Sequence, residues 1–276
     1  MELPRYVLLE KAVGQTPLQC MEAWRVENGV DSDIPLTYAG RLDPMASGQL
    51  LILIGDECKK KDEYLGLDKT YEFSVLFGIG SDTHDVLGRL HTDESIEIQN
   101  LSEQLQKMAS ELVGDVELPY PHFSSKTVQG KPLFQWSLEG RLGEIDIPTK
   151  QSEIYALTLG KFETSSRKNL ALAARAKIDT IPEVTDTNKQ LGADFRRTDI
   201  RQDWEDIKAG NPLPRQGLGK IENEPLPGQY TIAHFTCSAS SGTYMRTLAK
   251  LIGEQLDPVT PSLAWSIHRT EIRNIT

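Results

Sequence analysis

One aspartate in this chain of 276 residues stands where a carboxylate can do covalent chemistry. Asp43 lies in Leu36-Thr37-Tyr38-Ala39-Gly40-Arg41-Leu42-Asp43-Pro44-Met45-Ala46-Ser47-Gly48, and the apolar run Leu50-Leu51-Ile52-Leu53-Ile54 follows, ended by Gly55. Pro44 biases Asp43 toward extended backbone. Gly40 and Gly48 permit tight turns and close approach of the backbone to a ligand. The short, bounded apolar run reads as a buried strand. A carboxylate on a stiff loop against such a strand suits a nucleophile. The same residues also describe an ordinary turn, where Asp, Pro and Gly are favoured for local reasons. Leu256-Asp257-Pro258 repeats the tripeptide without the glycines or the strand, so the tripeptide alone specifies nothing.

Other chemistries find little support. Cys20, Cys58 and Cys237 are far apart and form no Cys-x-x-Cys pair, so neither a disulfide framework nor a zinc site is indicated. His84, His91, His122, His234 and His268 lack metal-ligand spacing, and a metal-free protein is expected. The formal net charge of -10 runs against nucleic-acid binding, because neutralising phosphates favours basic proteins. Lys59-Lys60-Lys61 and Arg196-Arg197 are local basic concentrations that a global sum hides, although isolated surface charge is commonly just solvated. Composition therefore neither requires nor excludes RNA. No apolar stretch approaches bilayer-spanning length, and Met1-Glu2-Leu3-Pro4-Arg5 carries no charged-then-apolar signal. A cytoplasmic location is the expectation.

The elements that must position Asp43 can be read in outline. The length allows one large domain or two small ones. Val7-Leu8-Leu9 reads as a first strand, and Thr16-Pro17 supplies an N-cap and N1 proline for a helix closed by Gly29. Residues 70–77 alternate and are aromatic-rich, as in a strand. Ser102 is read as the cap of a helix carrying Leu105, Met108 and Leu112 and ended by Gly114. Residues 230–237 form another strand, followed by Ser241-Gly242-Thr243 and a helix bearing Leu248, Leu251 and Ile252. Between residues 161 and 228 lie two helices, Ser166–Ile178 and Thr198–Gly210, among Asp-, Asn-, Gly- and Pro-rich connections; this reads as a partly ordered insertion. The order of elements predicts an α+β or mixed α/β fold.

Five blocks in order resemble the TruB type of pseudouridine synthase, which isomerises uridine 55 in the T-arm of tRNA. The first is Leu8-Leu9-Glu10-Lys11 with Gly14, and the second is the Asp43 segment. Asp68-Lys69-Thr70-Tyr71-Glu72-Phe73 is similar to the family's Lys-x-Tyr strand. The stretch from Gly78 to Gly88, with Asp82-Thr83 and Asp85, is similar to Gly-x-x-Thr-Asp-Thr-x-Asp. Ser240-Ser241-Gly242-Thr243-Tyr244-Met245-Arg246-Thr247 resembles Ser-x-Gly-Thr-Tyr-Ile-Arg-Thr. A weaker likeness, Ser124 to Lys131, resembles Ser-Ala-x-Lys-x-x-Gly. Together they cover most of residues 5–160 and 229–270.

The resemblance implies a central mixed, largely antiparallel sheet flanked by helices, with a catalytic domain built from residues 1–160 and 229–276 around the 161–228 insertion. It assigns Asp43 as the nucleophile, Arg246 as its counter-ion and Tyr71 as the aromatic face for a flipped base. It places Lys11, Tyr38, Arg41, Lys126 and Tyr244 at the substrate, the two lysines on phosphate. The isomerisation implied needs no cofactor and no metal, and the partner implied is the tRNA T-arm, bound by a monomer. Three departures stand out. Tyr38 occupies the His position of Gly-His-Thr-Gly-x-Leu-Asp-Pro, Glu10-Lys11-Ala12 replaces Asp-Lys-Pro, and no C-terminal PUA module is recognised. They keep two alternatives open: a synthase for another RNA stem-loop, and a non-catalytic RNA-binding or RNA-folding protein on the same scaffold. A carboxylate-dependent hydrolase ranks last, for want of a second carboxylate at a recognisable spacing.

Overall fold

Alternation along the strands decides which face of the sheet each helix covers. The computed structural model describes residues 3–93, 98–182, 196–214 and 225–275. Its strands are β1 (Tyr6–Lys11), β2 (Leu36–Ala39), β3 (Ala46–Ile54), β4 (Lys69–Phe77), β5 (Gly80–Ser81), β6 (Leu90–His91), β7 (Gly114–Pro119), β8 (Thr127–Val128), β9 (Lys131–Pro132), β10 (Thr149–Ser166), β11 (Gln229–Ala239) and β12 (Ser262–Ile272). The helices are α1 (Pro17–Glu27), α2 (Lys61–Leu65), α3 (Leu101–Glu111), α4 (Leu133–Leu138), α5 (Arg167–Asp179), α6 (Arg197–Ala209) and α7 (Met245–Glu254). Eight strands form one sheet in the order β1-β3-β12-β4-β11-β10-β7, with β2 added on β3. Among the described residues only β12 and β3 run parallel within it; the expected mixed, largely antiparallel sheet is what forms.

On β4, Phe73, Val75 and Phe77 point to one face and pack with Leu105 and Met108 of α3 and Leu248 and Ile252 of α7. Leu76 points to the other, where Leu170 and Ala174 of α5 and Ile200, Trp204 and Ile207 of α6 complete a second core. Period-two alternation on a central strand thus requires cover on both sides. The two helices between β10 and β11 supply it, so this stretch is integral to the core of the sheet. The sheet itself continues along β10 to Ser166. Parts of the stretch read from sequence as an insertion lie outside the described residues.

Local signals explain several element ends. Thr16 and Gln19 form a reciprocal capping box at the start of α1, with Pro17 in the first turn. Ser102, by contrast, is inside α3; the cap is Asn100 in the left-handed region, a conformation asparagine tolerates better than most residues. The strand after Asp43 is also longer than the apolar run, because Gly48 lies within β3 at φ +105°. An ideal Cβ there would sit 2.2 Å from the Arg269 carbonyl oxygen and 2.6 Å from its nitrogen. Backbone strain and forced separation of β3 from β12 then add. Gly48→Ala is expected to destabilise the fold by about 3 kcal/mol or more, read as a shift of the urea midpoint; a change below about 1 kcal/mol would contradict this packing. Among the described residues no helix is long and apolar enough to cross a bilayer.

Candidate active site

Asp43 sits on the turn between β2 and β3, and three different elements hold that turn. Gly40 adopts φ +84° and its carbonyl accepts from Nη2 of Arg269 on β12 at 3.0 Å. The Pro44 carbonyl accepts from Gly14 N at 2.8 Å. Ala46 N closes the turn on the Asp43 carbonyl at 3.0 Å. With its backbone fixed, the Asp43 side chain projects, about one-third exposed, into a cavity of about 780 Å³.

Arg246 meets it there. It is the second residue of α7, where a cation gains nothing from the helix dipole, and it is 4% exposed. Its Nε donates to Asp43 Oδ2 at 2.8 Å, its Nη1 to the Thr83 carbonyl at 2.8 Å and its Nη2 to the Phe123 carbonyl at 3.3 Å. The guanidinium fork is thereby locked, and the carboxylate it orients is fixed with it. A second carboxylate, Asp85, lies 3.8 Å from Arg246 Nε and is buried. Burial pushes the Asp85 carboxyl up, against the pull of Arg246 and the Thr83 hydroxyl. Thr83 donates to Asp85 at 2.6 Å and Leu87 N donates at 3.0 Å.

The other walls are mainly apolar, with Leu42, Pro44, Leu87, Phe123, Phe134 and Ile267 among them. Tyr71 from β4, Tyr244 beside α7, and Tyr38 and Arg41 flanking the turn also line the cavity. Burial raises the phenols of Tyr71 and Tyr244. Tyr244 meets the Tyr120 ring edge-on at 5.7 Å between centroids, and Lys61 Nζ lies 5.4 Å from the Tyr38 ring centroid. Six of the eight residues expected at the site thus share one cavity.

The two lysines do not. Lys11 is fully buried and donates to the Ala12 and Gln15 carbonyls at 2.9 and 2.7 Å, so it serves the fold and presents no charge to a phosphate. Lys126 is exposed, its Nζ 4.9 Å from the centroid of the Tyr120 ring. The arginines beside α6 are also committed. Arg196 lines the cavity, pairs with Asp82 at 2.5 Å and covers the Phe123 ring at 4.5 Å. Arg201 pairs with Asp179 at 2.6 Å. Arg197 is buried, with Nη2 on the Pro182 carbonyl.

Sequence reasoning named no role at the site for Lys69, Thr83, Asp85 or Arg269 and marked Arg196 only as part of a basic concentration, yet all five line the cavity. The Lys-x-Tyr and Thr-His-Asp blocks carried a signal for the first three; Arg196 stood out only by its basic neighbour, and nothing local marks Arg269. Burial holds Lys11 and Lys69 to about 8. An unfolded lysine titrates near 10.4, so between these limits the unfolded chain binds more protons and stability rises with pH. The expected gain is up to about 1.4 kcal/mol per pH unit per lysine. Urea unfolding between pH 8 and 10 measures the slope, and Lys69→Met should remove about half of it; an unchanged slope would show that Lys69 does not titrate there. Among the described residues no group of three or more His, Cys, Asp or Glu side chains could hold a metal ion.

Comparison with known proteins agrees with this geometry. The model of the TruB family pseudouridylate synthase (N terminal domain) matches residues 35–180. The tRNA pseudouridine synthase 4 of Saccharomyces cerevisiae is 29% identical over 238 residues, covering 82% of this chain and 58% of that protein. The tRNA pseudouridine synthase B of Caldicellulosiruptor saccharolyticus is 35% identical over 122 residues, 44% of this chain and 41% of that one. The chain therefore spans about half the length of the relatives it matches. Among solved structures, a Cbf5-Nop10-Gar1 complex shares the fold at TM-score 0.50 and 12% identity, covering 97% of this chain and 48% of that one. With more than half of its residues matched by the family model, the chain belongs to the TruB family of pseudouridylate synthases.

Proposed function

We propose that this protein isomerises uridine to pseudouridine in tRNA, at uridine 55 of the T-arm, with Asp43 as the nucleophile. The observation that carries the reading is the 2.8 Å Arg246–Asp43 ion pair, set in a mainly apolar cavity with Tyr71 in its wall. The reaction breaks the N1–C1′ bond and rejoins the ring through C5, with no redox change. It calls for an oriented carboxylate and an aromatic surface for an extruded base, because a base within a duplex cannot reach a pocket of this kind. The cavity is of the size that encloses small ligands, large enough for a nucleoside. Tyr71 offers a stacking face beside Asp43, and Tyr38, Arg41 and Tyr244 surround the entering nucleotide. Lys126, on the outside, is placed for the RNA backbone, whereas Lys11 acts only by holding the fold. Residues 1–160 and 229–276 form the catalytic domain in this reading, on a second core that α5 and α6 complete. The names of the two relatives, both tRNA pseudouridine synthases, support a tRNA substrate.

Product mapping on full tRNA, on an isolated T-arm stem-loop and on unrelated ribosomal stem-loops tests the proposal. Pseudouridine at position 55 at a rate at least tenfold above the ribosomal fragments is expected. Equal rates on all three would reject the T-arm, and tight binding with no product on any would favour a non-catalytic RNA-binding role.

A further inference from the structure

Arg196 is a poor local choice for its position. It stands at the N-terminus of α6 with φ +51°, in the left-handed region that non-glycine residues rarely adopt. Its side chain makes no cap hydrogen bond, although Ser, Thr, Asp and Asn stabilise a helix start by doing so. Its cation also lies at the positive end of the helix dipole. What holds this arginine in place is therefore distant in sequence, and such conflicts between local and global preference mark functional positions. Its guanidinium reaches the cavity wall, where Nη1 and Nη2 donate to the two carboxylate oxygens of Asp82 at 2.5 and 2.9 Å. It also covers the Phe123 ring at 4.5 Å. Bidentate pairing and stacking on a ring are tasks that suit a planar guanidinium and not an ammonium.

Both partners adjoin the supports of Arg246. Asp82 precedes Thr83, whose carbonyl accepts from Arg246 Nη1 at 2.8 Å. The Phe123 carbonyl accepts from Arg246 Nη2 at 3.3 Å. One arginine thus grips by side chain the two segments whose carbonyls fix the other. The loop that carries Asp82 is fastened to α6 at its far end as well. There Arg89 Nε and the Leu90 N–H donate to Asp203 at 2.7 and 2.9 Å, and Trp204 Nε1 donates to the Val86 carbonyl at 3.3 Å. We infer that Arg196 is a positioning residue: it joins the loop after β5 and the segment between β7 and β8 to α6, and so holds the Arg246 fork on Asp43. This rests on the isomerisation proposed above, in which Arg246 orients the nucleophile. Arg196 takes no part in the chemistry, and its charge is matched by Asp82. A fork tilted by a loosened carbonyl misaims Asp43 while the cavity walls stay in place. Misplacement of about 1 Å at a reacting group can cost about 10²-fold in rate.

Nuclear magnetic resonance of the whole chain with isotope-labelled arginine, without RNA, reports the Arg246 Nε–H, identified as the signal lost in Arg246→Lys. Arg196→Met should speed exchange of that proton with water at least about tenfold, because its hydrogen bond opens more often. The Nε–H of Arg269, held on the Gln49 carbonyl at 2.7 Å, should keep its rate. Unchanged exchange at Arg246 overturns the inference, and equal acceleration of both protons would mean a merely structural role. If Arg196→Met does not fold, Asp82→Asn, which weakens the same pair, decides by the same reading. In single-turnover assays on tRNA, Arg196→Met should lose about tenfold or more in rate with RNA affinity within about twofold. Arg196→Lys should regain only part of that loss, as a point charge cannot replace the fork. Weaker binding with a shallower salt dependence and an unchanged rate at saturation would make Arg196 a phosphate contact and overturn the inference. Selective acceleration at Arg246, with no pseudouridine even from the wild type, would support the positioning role and reject the isomerisation.

Discussion

Asp43→Asn lowers single-turnover pseudouridine formation by at least about 10⁴-fold, the scale on which enzymes lose activity when a nucleophile is removed. Asn keeps the shape of the side chain and can still accept from Arg246 Nε. The turn remains held by Gly14, Ala46 and Arg269 through backbone groups that the substitution does not touch. The apolar walls and aromatic rings of the cavity are likewise unchanged. RNA affinity should therefore stay within about threefold, because the phosphate contacts that dominate it are elsewhere. Mass spectrometry of digested tRNA, with a filter-binding titration alongside, measures both. Equal product from the variant and the wild type would remove Asp43 from the mechanism; equal loss of binding and product would make it a binding residue.

The second large effect is on stability as well as rate. Arg246→Met removes the cation between Asp43 and Asp85 and frees the Thr83 and Phe123 carbonyls of their partner. Breaking a buried pair in this way costs about 3–5 kcal/mol, read from the urea midpoint. The pH dependence should change sign relative to ordinary acid denaturation. Asp85 already has its carboxyl raised by burial, and Arg246 is the main group pulling it back. Without Arg246 the folded state holds that proton to still higher pH than the unfolded chain does. Between the two values the folded state binds more protons, so stability falls as pH rises. The variant should thus be more stable near pH 5 than near pH 7. A variant that loses stability toward pH 5 would show that Asp85 is not the group left exposed to burial. Product formation should fall by at least about 10²-fold, as expected when an orienting charge is lost.

What the chain reveals one-dimensionally follows from which interactions are local. The Thr16 cap with its N1 proline, the alternation of β4 and the helical stripes of α3, α6 and α7 involve near neighbours in sequence, and each was legible. Asp43, Tyr71 and Arg246 could be named because each sits in a dense block of constrained residues. Arg269 could not, since its meaning lies in facing Tyr71 and Gly40, nearly 200 residues or more away. Lys11 illustrates the opposite error. Its motif suggested phosphate, yet burial turned its ammonium onto two carbonyls four residues apart or fewer. The helices between β10 and β11 were visible as helices, but only the two-sided burial of β4 shows why the sheet needs them.

The central place of β12 governs the order in which this protein can mature. It lies between β3 and β4, and Ser47 and His268 hydrogen-bond across 221 residues of chain. During synthesis the Asp43 turn and Tyr71 emerge nearly 200 residues before the strand that joins their parts of the sheet. Until residue 272 has left the ribosome, β4 presents one unpaired edge and β3 lacks its partner at Ala46–Gly48, the kind of surface that invites aggregation. Loop closure over such distances is slow. A nascent chain therefore holds Asp43 and Tyr71 on pieces of sheet that only β12 joins.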